Sequence, residues 1–594
     1  MVLIKITSTY LSIISLWLLS WTVLAQPAAI AMPDSYSAKT AKQILMQGGN
    51  AVDAAVASAF VLAVTYPEAG NLGGGGFLTL FEPNKKVTQN ANDTPHKSSK
   101  YLSQNQGKSY FLDYRETAPA AAFRDLYLDA NKAVIPYRSL VGYQASGVPG
   151  TVRGMWEVHQ RFGRLPWKSL LSDAIQFAEK GFIVSDEIAQ RAIWYQQWIA
   201  DKSPVPLNFT PYFSGLKTDA LFKQPELAVT LTLIAKQGAD GFYTGKIAQQ
   251  IVKQMQKPAS LEDKGLITLA DLKGYQAIWR QPVQGQWQGR TIVSAPPPSS
   301  GGIAIIQLLK MKSLLGESLK DGWLKAKAAG LTEQAFKTHL YAELEKRVYA
   351  DRAFYLGDPD FVDVPIEQLI SDSYLTNRIK GVLLDDISDT ESMHPGKLES
   401  PETTHFSIID RQGMAVSNTY TLNMPFGSGV VIEGAGFLMN DQMDDFSTKP
   451  GVANIFGVVG GKANEIAPHK RMLSSMSPTI VLKEGQVEMV VGTPGGSTII
   501  TTVFQTIVNI AEEGMNAQQA VDAPRVHHQL LPINQIAYNP ELSESTKTAL
   551  ELMGYRLKQN NYMGDVQLIA YINGAWQAAS DTRGQGVSEV FESD

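Results

Sequence analysis

The alternation of apolar and polar positions divides the chain into helical and extended stretches. From Ser37 to Gln47 the apolar residues Ala38, Ala41, Ile44 and Leu45 recur at helical spacing, and Gly48-Gly49 supplies a C-terminal stop. Asn50 is placed to cap a second helix that runs through Ala51–Ala57 to Thr65, rich in small residues and ended by Pro67. Gly70 to Phe77 then leads into the apolar run Leu78 to Phe81, and the consecutive glycines 73–76 permit positive φ and close backbone approach. A strand rather than a helix follows, so this segment predicts a tight strand entry and not a phosphate loop.

Residues 83–108 are rich in Asn, Lys, Ser and Gln with no apolar period, which predicts an exposed insertion before a strand at Ser109 to Arg115. Between about residues 140 and 380 the signals are mostly helical, as at Leu170 to Lys180 and Glu333 to Arg352, with Pro296 to Gly302 as an interrupting loop. Asp385 to Glu402 turns polar, carries Pro395 and Pro401, and reads as an exposed linker. From Thr403 the pattern changes to period two: Thr403 to Asp410 and Met414 to Leu422 alternate around the turn Arg411-Gln412-Gly413. A second hairpin is expected at Thr479 to Lys483 with Gln486 to Gly492, joined by Glu484-Gly485, and a helix at Ser497 to Glu513. Strand layered with helix is the architecture implied for the last third.

Composition narrows the chemistry. With 594 residues, 44% hydrophobic and 18% charged, the chain is globular and too long for one ordinary core, so two lobes or a large layered α/β body are expected. A net charge of -5 gives no basic footprint for nucleic acid. There is no cysteine, which removes thiol nucleophiles, disulfides and thiolate metal sites, and the eight histidines show no metal-ligand spacing. Covalent catalysis would have to use oxygen or nitrogen. At the N-terminus Lys5 precedes an apolar stretch from Ile6 to Leu24 that ends in Val23-Leu24-Ala25, read as a secretion signal over residues 1–25; the alternative is an uncleaved anchor. Export to the periplasm or beyond is therefore expected, without a stable membrane partner.

Seven separated segments carry a resemblance: QGGNAVDAAVA at Gln47 to Ala57, FLDYRETAP at Phe111 to Pro119, TTHFSIID at Thr403 to Asp410, TYTLN at Thr419 to Asn423, NDQMDDF at Asn440 to Phe446, RMLSSMSP at Arg471 to Pro478, and GTPGGS at Gly492 to Ser497. In order and spread they resemble the bacterial gamma-glutamyltransferase family over nearly the whole chain. The resemblance implies an α/β (α+β) N-terminal-nucleophile hydrolase fold, a four-layer αββα sandwich built from two products of self-cleavage. These would be a large subunit of residues 26–402 and a small subunit of 403–594, associated as a heterodimer. It further implies that Thr403 is the nucleophile, freed by cleavage of the Glu402-Thr403 bond. That cut gives one residue both a hydroxyl and a free α-amine with an unperturbed pKa near ~8, suited to act as its base.

By the same resemblance Thr421 orients the nucleophile, and Gly495 and Gly496 form the oxyanion hole. Arg115, Ser474 and Ser475 hold the α-carboxylate of a gamma-glutamyl donor, and Asp445 holds its ammonium with Asn423 and Gln442 as accessory groups. The implied reaction passes the gamma-glutamyl group of glutathione or a related compound to water, an amino acid or a dipeptide, with no metal and no organic cofactor. Two alternatives are a cephalosporin or glutaryl acylase of the same fold and an exported protein that binds gamma-glutamyl compounds without turnover. Three features depart from the family pattern: Phe456 stands where a tyrosine of the lid at Pro450 to Gly461 often meets the asparagine matched by Asn423, the 83–108 insertion is long, and Thr582 in Ser580-Asp581-Thr582-Arg583 replaces a usual proline.

Overall fold

The computed structural model describes residues 26–84, 107–389, 402–449 and 461–592. The proposed signal, most of the 83–108 insertion, the linker prolines Pro395 and Pro401, and the lid residues around Phe456 lie outside the described residues.

Thirteen strands form two antiparallel sheets. In chain order they are β1 (Ala28–Met32), β2 (Gly75–Glu82), β3 (Lys108–Tyr114), β4 (Ile278–Arg280), β5 (Val283–Trp287), β6 (Arg290–Ser294), β7 (Glu402–Ile409), β8 (Ala415–Asn423), β9 (Thr479–Lys483), β10 (Gln486–Gly492), β11 (Gln567–Ile572), β12 (Ala575–Ser580) and β13 (Val587–Phe591). The first sheet has the order β13-β1-β7-β8-β2-β3-β4 and the second β12-β11-β10-β9-β6-β5. Both the β7–β8 and the β9–β10 hairpin turn where the sequence predicts.

Each sheet is covered by helices on one face and by the other sheet on the opposite face, which gives the expected αββα layering. On the first sheet lie α1 (Ser35–Met46) and α2 (Ala51–Thr65). Asn50 caps α2 in a full capping box with Asp53, and every residue of α2 is buried, which its run of Ala and Val makes possible. On the second sheet lie α3 (Gly301–Leu314), α4 (Glu333–Tyr355) and α5 (Thr498–Ala511), which share one apolar core with its strands.

Between the sheets the packing is apolar in one part and polar in another. Ala29, Ala31, Phe81, Ile409 and Ala415 meet Ile480, Val487, Val490 and Ile569 in a compact cluster. Elsewhere, hydroxyls of the first sheet donate to backbone carbonyls at the second: Ser407 to Gln567 O at 3.0 Å, Ser417 to Val491 O at 3.2 Å, and Thr79 to Pro478 O at 2.7 Å. His405 shares hydrogen bonds with Thr419 at 2.8 Å and Ser407 at 3.1 Å. Burial holds its pKa down to about 3, so the ring is neutral over the physiological range.

Three expectations need correction. The mostly helical stretch also contains β4, β5 and β6, and the last two supply the edge of the second sheet; VQGQW in β5 does alternate, with Val283, Gly285 and Trp287 buried. The helix expected at Leu170 to Lys180 breaks at Leu171, giving Trp167–Leu170 and Ser172–Lys180. The linker is not exposed throughout: Ser388 is buried, where its N–H donates to Glu343 Oε1 at 3.2 Å and its carbonyl accepts from Lys346 at 3.2 Å.

The seam between the sheets leaves no room at Gly492, where an added Cβ would sit 2.3 Å from the His405 ring. Gly492→Ala should therefore cost about 1–3 kcal/mol of stability, the usual range for overpacking, and slow any chemistry at the neighbouring Thr403. Denaturant unfolding and the rate of chain cleavage measure the two effects; an unchanged unfolding midpoint would show that the seam yields.

Candidate active site

Thr403 sits one residue inside β7, where the hairpin departs from regular pairing. The ladder runs regularly to Tyr420 opposite Thr404, then shifts so that Asn423 lies opposite Glu402. The bulge falls opposite Thr403 and interrupts the ladder there, a common device for re-aiming side chains beside reactive groups. Thr421 Oγ1 accepts from Asn423 N–H at 2.8 Å, and Asn423 itself has φ +87°, a left-handed conformation that asparagine tolerates better than most residues. That turn is pinned from outside: Asn423 Nδ2 donates to Asp441 O at 3.1 Å, and Met424 N–H donates to Asp441 Oδ1 at 3.0 Å.

Thr403 opens onto a small cleft that eight of the ten predicted site residues line: Arg115, Thr403, Thr421, Asn423, Gln442, Asp445, Ser474 and Gly496. The other two, Ser475 and Gly495, are sequence neighbours of lining residues and are buried beside it. Five separate stretches of chain thus converge, one of them the approach to β9 that carries Ser474. Arg115 follows β3, Thr403 and Thr421 belong to the β7–β8 hairpin, Gln442 and Asp445 stand on a short 3-10 turn (Gln442–Asp445), and Gly496 lies between β10 and α5.

Arg115 is fully buried. Its Nη2 pairs with Asp445 and also donates to Leu473 O at 3.4 Å, while Nε donates to Met472 O at 3.3 Å. Gln442 Nε2 donates to the same Asp445 oxygen at 2.6 Å, and Asn464 Nδ2 holds the Asp445 backbone carbonyl at 2.6 Å. Three buried polar atoms here make no hydrogen bond among the described residues: Arg115 Nη1, Ser475 Oγ and Gln442 Oε1. Orphaned buried groups are costly, and these are two donors and one acceptor at a single cleft.

At the other side of Thr403, Gly495 has φ +132° and Gly496 φ +58°, and α5 starts two residues later. A Cβ on Gly495 would lie 2.6 Å from Thr498 Oγ1, which donates to Gly495 O at 2.8 Å. Tyr349 from α4 donates to Ser497 O at 2.5 Å and braces the same turn. The turn leads into the N-terminus of α5, whose partial positive charge favours an anion placed near it. Among the described residues no group of three or more potential metal ligands occurs, and no helix is long and apolar enough to cross a membrane.

One charged residue escaped the sequence reading, although it lies in the segment FLDYRETAP. Glu116 is fully buried, its carboxylate stands 3.7 Å from Arg115 Nη1, and neither oxygen has a hydrogen-bond partner among the described residues. Burial, only partly offset by Arg115, pushes its pKa up to about 7.

The sequence model of the family described as Gamma-glutamyltranspeptidase matches residues 37–95 and 99–591. The chain is 52% identical over 567 residues to a glutathione hydrolase proenzyme of Pseudomonas aeruginosa, covering 95% of this chain and 94% of that one. It is 40% identical to the glutathione hydrolase proenzyme of Escherichia coli, covering 94% and 91%. Among solved structures, the cephalosporin acylase from Bacillus halodurans superimposes with a TM-score of 0.76 over 96% of both chains at 23% identity, a likeness of fold alone.

Two outcomes test this geometry. Gly495→Ala should lower turnover by about 10²- to 10³-fold, the usual effect of disabling one oxyanion donor, because alanine cannot hold the backbone angle there; wild-type kcat would remove this loop from the site. For Glu116, an acid whose folded pKa exceeds its unfolded value near ~4.3 binds a proton on folding, so stability falls as pH rises from that value through about 7 and the penalty is complete above. Glu116→Gln should accordingly raise the melting temperature at pH 8 and leave it nearly unchanged at pH 4; equal shifts at both pH values would mean that no buried charge is being relieved.

Proposed function

The chain belongs to the gamma-glutamyltranspeptidase family, and from that membership and the cleft together we infer how it works as a gamma-glutamyltransferase and glutathione hydrolase. The single observation that carries the assignment of roles is the convergence of Thr403, the glycine turn and the Arg115–Asp445 pair on one cleft. The relatives are proenzymes, and the described chain runs through the Glu402-Thr403 bond within β7.

Maturation begins when Thr403 Oγ attacks the Glu402 carbonyl carbon. The amide C–N bond breaks, and the acyl group passes to the hydroxyl as an ester, while the Thr403 nitrogen becomes an amine. Water then hydrolyses the ester. The products are a large subunit ending at residue 402 and a small subunit beginning at 403. They stay paired because each contributes strands to both sheets: β1 to β4 and β7, β8, β13 to the first, β5, β6 and β9 to β12 to the second.

In turnover the donor's α-carboxylate takes Arg115 with Ser474 and Ser475, and its ammonium takes Asp445 with Gln442 and Asn423. This grip fixes the gamma-carbonyl beside Thr403 and supplies the proximity contribution. The α-amine accepts the hydroxyl proton as Oγ attacks, the Gly495–Gly496 turn stabilises the oxyanion, and the proton goes to the departing amine, which for glutathione is cysteinylglycine. Water or the amine of an amino acid or dipeptide then attacks the gamma-glutamyl ester and restores Thr403. Export of the enzyme accords with the apolar stretch before residue 26.

A glutaryl acylase, the same-fold alternative, is disfavoured by the buried Asp445 carboxylate, since a glutaryl group brings no ammonium to it.

Denaturing electrophoresis of the purified protein should give two unequal bands, and Thr403→Ala a single full-length band without activity; two bands from the variant would exclude Thr403 as the attacking group. Arg115→Lys keeps the charge but loses the planar fork, so the donor KM should rise by about tenfold or more with cleavage of the chain intact. An unchanged KM would take Arg115 out of the donor grip.

A further inference from the structure

The carboxylate grip is assembled from two stretches of chain that self-cleavage separates, Arg115 before the cut and Ser474-Ser475 after it. Something other than the covalent chain must set their distance. Behind the cleft, Asp113 at the end of β3 is fully buried and sits between two guanidinium groups. Its Oδ2 accepts from Arg280 Nε at 2.7 Å, and its Oδ1 lies 3.3 Å from Arg471 Nε. The same Oδ1 accepts the backbone N–H of Arg115 at 3.0 Å. On the other side of that residue, Tyr275 donates to Arg115 O at 2.8 Å.

Arg471 is equally constrained. Its N–H donates to Asp358 Oδ2 at 2.7 Å and Nη2 donates to Gln276 O at 2.7 Å, so an arginine from after the cut is held by three groups from before it. The residues that follow it, Met472 and Leu473, present the carbonyls that receive the Arg115 guanidinium, and Ser474 comes next. Asp113 therefore touches both halves of the grip at once: Arg115 through a backbone bond and the Arg471 to Ser475 stretch through an ion pair. The Asp113–Arg471 contact is a close approach of two buried charges rather than a hydrogen bond; such a pair is a poor source of net stability, but separating it leaves a buried charge alone, which suits it to fixing register.

We propose that Asp113 and Arg471 are positioning residues that hold the two subunits in register at the donor's α-carboxylate, without touching the substrate themselves. This rests on the gamma-glutamyl reading above. Among the described residues no hydrogen bond or ion pair joins either residue to Thr403 or the glycine turn, so the pair should act on binding of the carboxylate.

Asp113→Asn preserves shape and can still accept the Arg115 N–H at Oδ1, but it removes the charge that faces Arg471 and sets an NH2 in place of the oxygen that accepts from Arg280. The probes are gamma-glutamyl-p-nitroanilide and the same compound with its α-carboxylate converted to a carboxamide. For the carboxylate donor the variant should raise KM about tenfold with kcat within about twofold, while kcat/KM for the carboxamide stays the same, so that the preference between them collapses by the same factor. Self-cleavage at the wild-type rate reports that the variant is folded. Arg471→Lys, which keeps a positive charge but loses the reach to Gln276, should show a smaller loss of the same kind. Equal losses on both donors, no change on either, or failure of both variants to mature would overturn the proposal, the last because self-cleavage does not use the carboxylate grip. Should the wild-type protein turn over neither donor, the gamma-glutamyl reading would fall instead, and the two failures are thereby distinguishable.

Discussion

The chemistry depends on a fixed offset between two sheets. Thr403 lies at the start of the first-sheet hairpin, whereas the glycine turn at the same cleft follows a second-sheet strand, so their separation is set by the offset between the layers. Apolar packing alone would resist separation of the sheets but would resist sliding less well. The hydroxyl-to-carbonyl bonds of Ser407, Ser417 and Thr79 are directional and settle the offset. His405 against Gly492 closes the seam one step from the reacting residue, and being neutral it brings no buried charge into it.

The interleaving of strands explains why cleavage can be left until after folding. Each sheet contains strands from both sides of residue 403, and β7 is flanked by β1 and β8, one from each side. Neither part can bury its strands without the other, so the site that cuts the chain exists only once both are assembled. Cutting then removes one bond near a bulge and leaves every other strand pairing in place. The buried charge network around Ser388 and Glu343 gives the large part an anchor close to its new end.

Much of this was legible in the sequence because the informative features are local. Period-two alternation located the hairpin at Thr403 and the one at Thr479, Asn50 announced the cap of α2, and short motifs named eight of the ten residues that line the cleft, though not Met476 and Ile499. What stayed hidden depends on contacts distant in the chain. Asp113 and Glu116 lie in the same nine-residue segment as Arg115, yet nothing local says that one meets Arg471 and the other is buried without a hydrogen-bonded partner. The strands β5 and β6 were lost among helices because each is only five residues long, too short to outweigh their surroundings. Ser388 reads as linker polarity until the charges of α4 are seen to enclose it.

On the proposed donor grip, the Arg115–Asp445 pair would also separate donors that share a five-carbon acyl chain. Paired with each other, neither charge is left bare in a buried setting. A gamma-glutamyl donor can enter by exchange: its carboxylate replaces Asp445 at Arg115 and its ammonium replaces Arg115 at Asp445, and the count of paired charges is preserved. A glutaryl donor offers only the first half of that exchange and would leave Asp445 facing Gln442 and Asn423 without a cation. Leaving one member of a buried pair alone costs about 3–5 kcal/mol, a discrimination of order 10² to 10³ or more in binding.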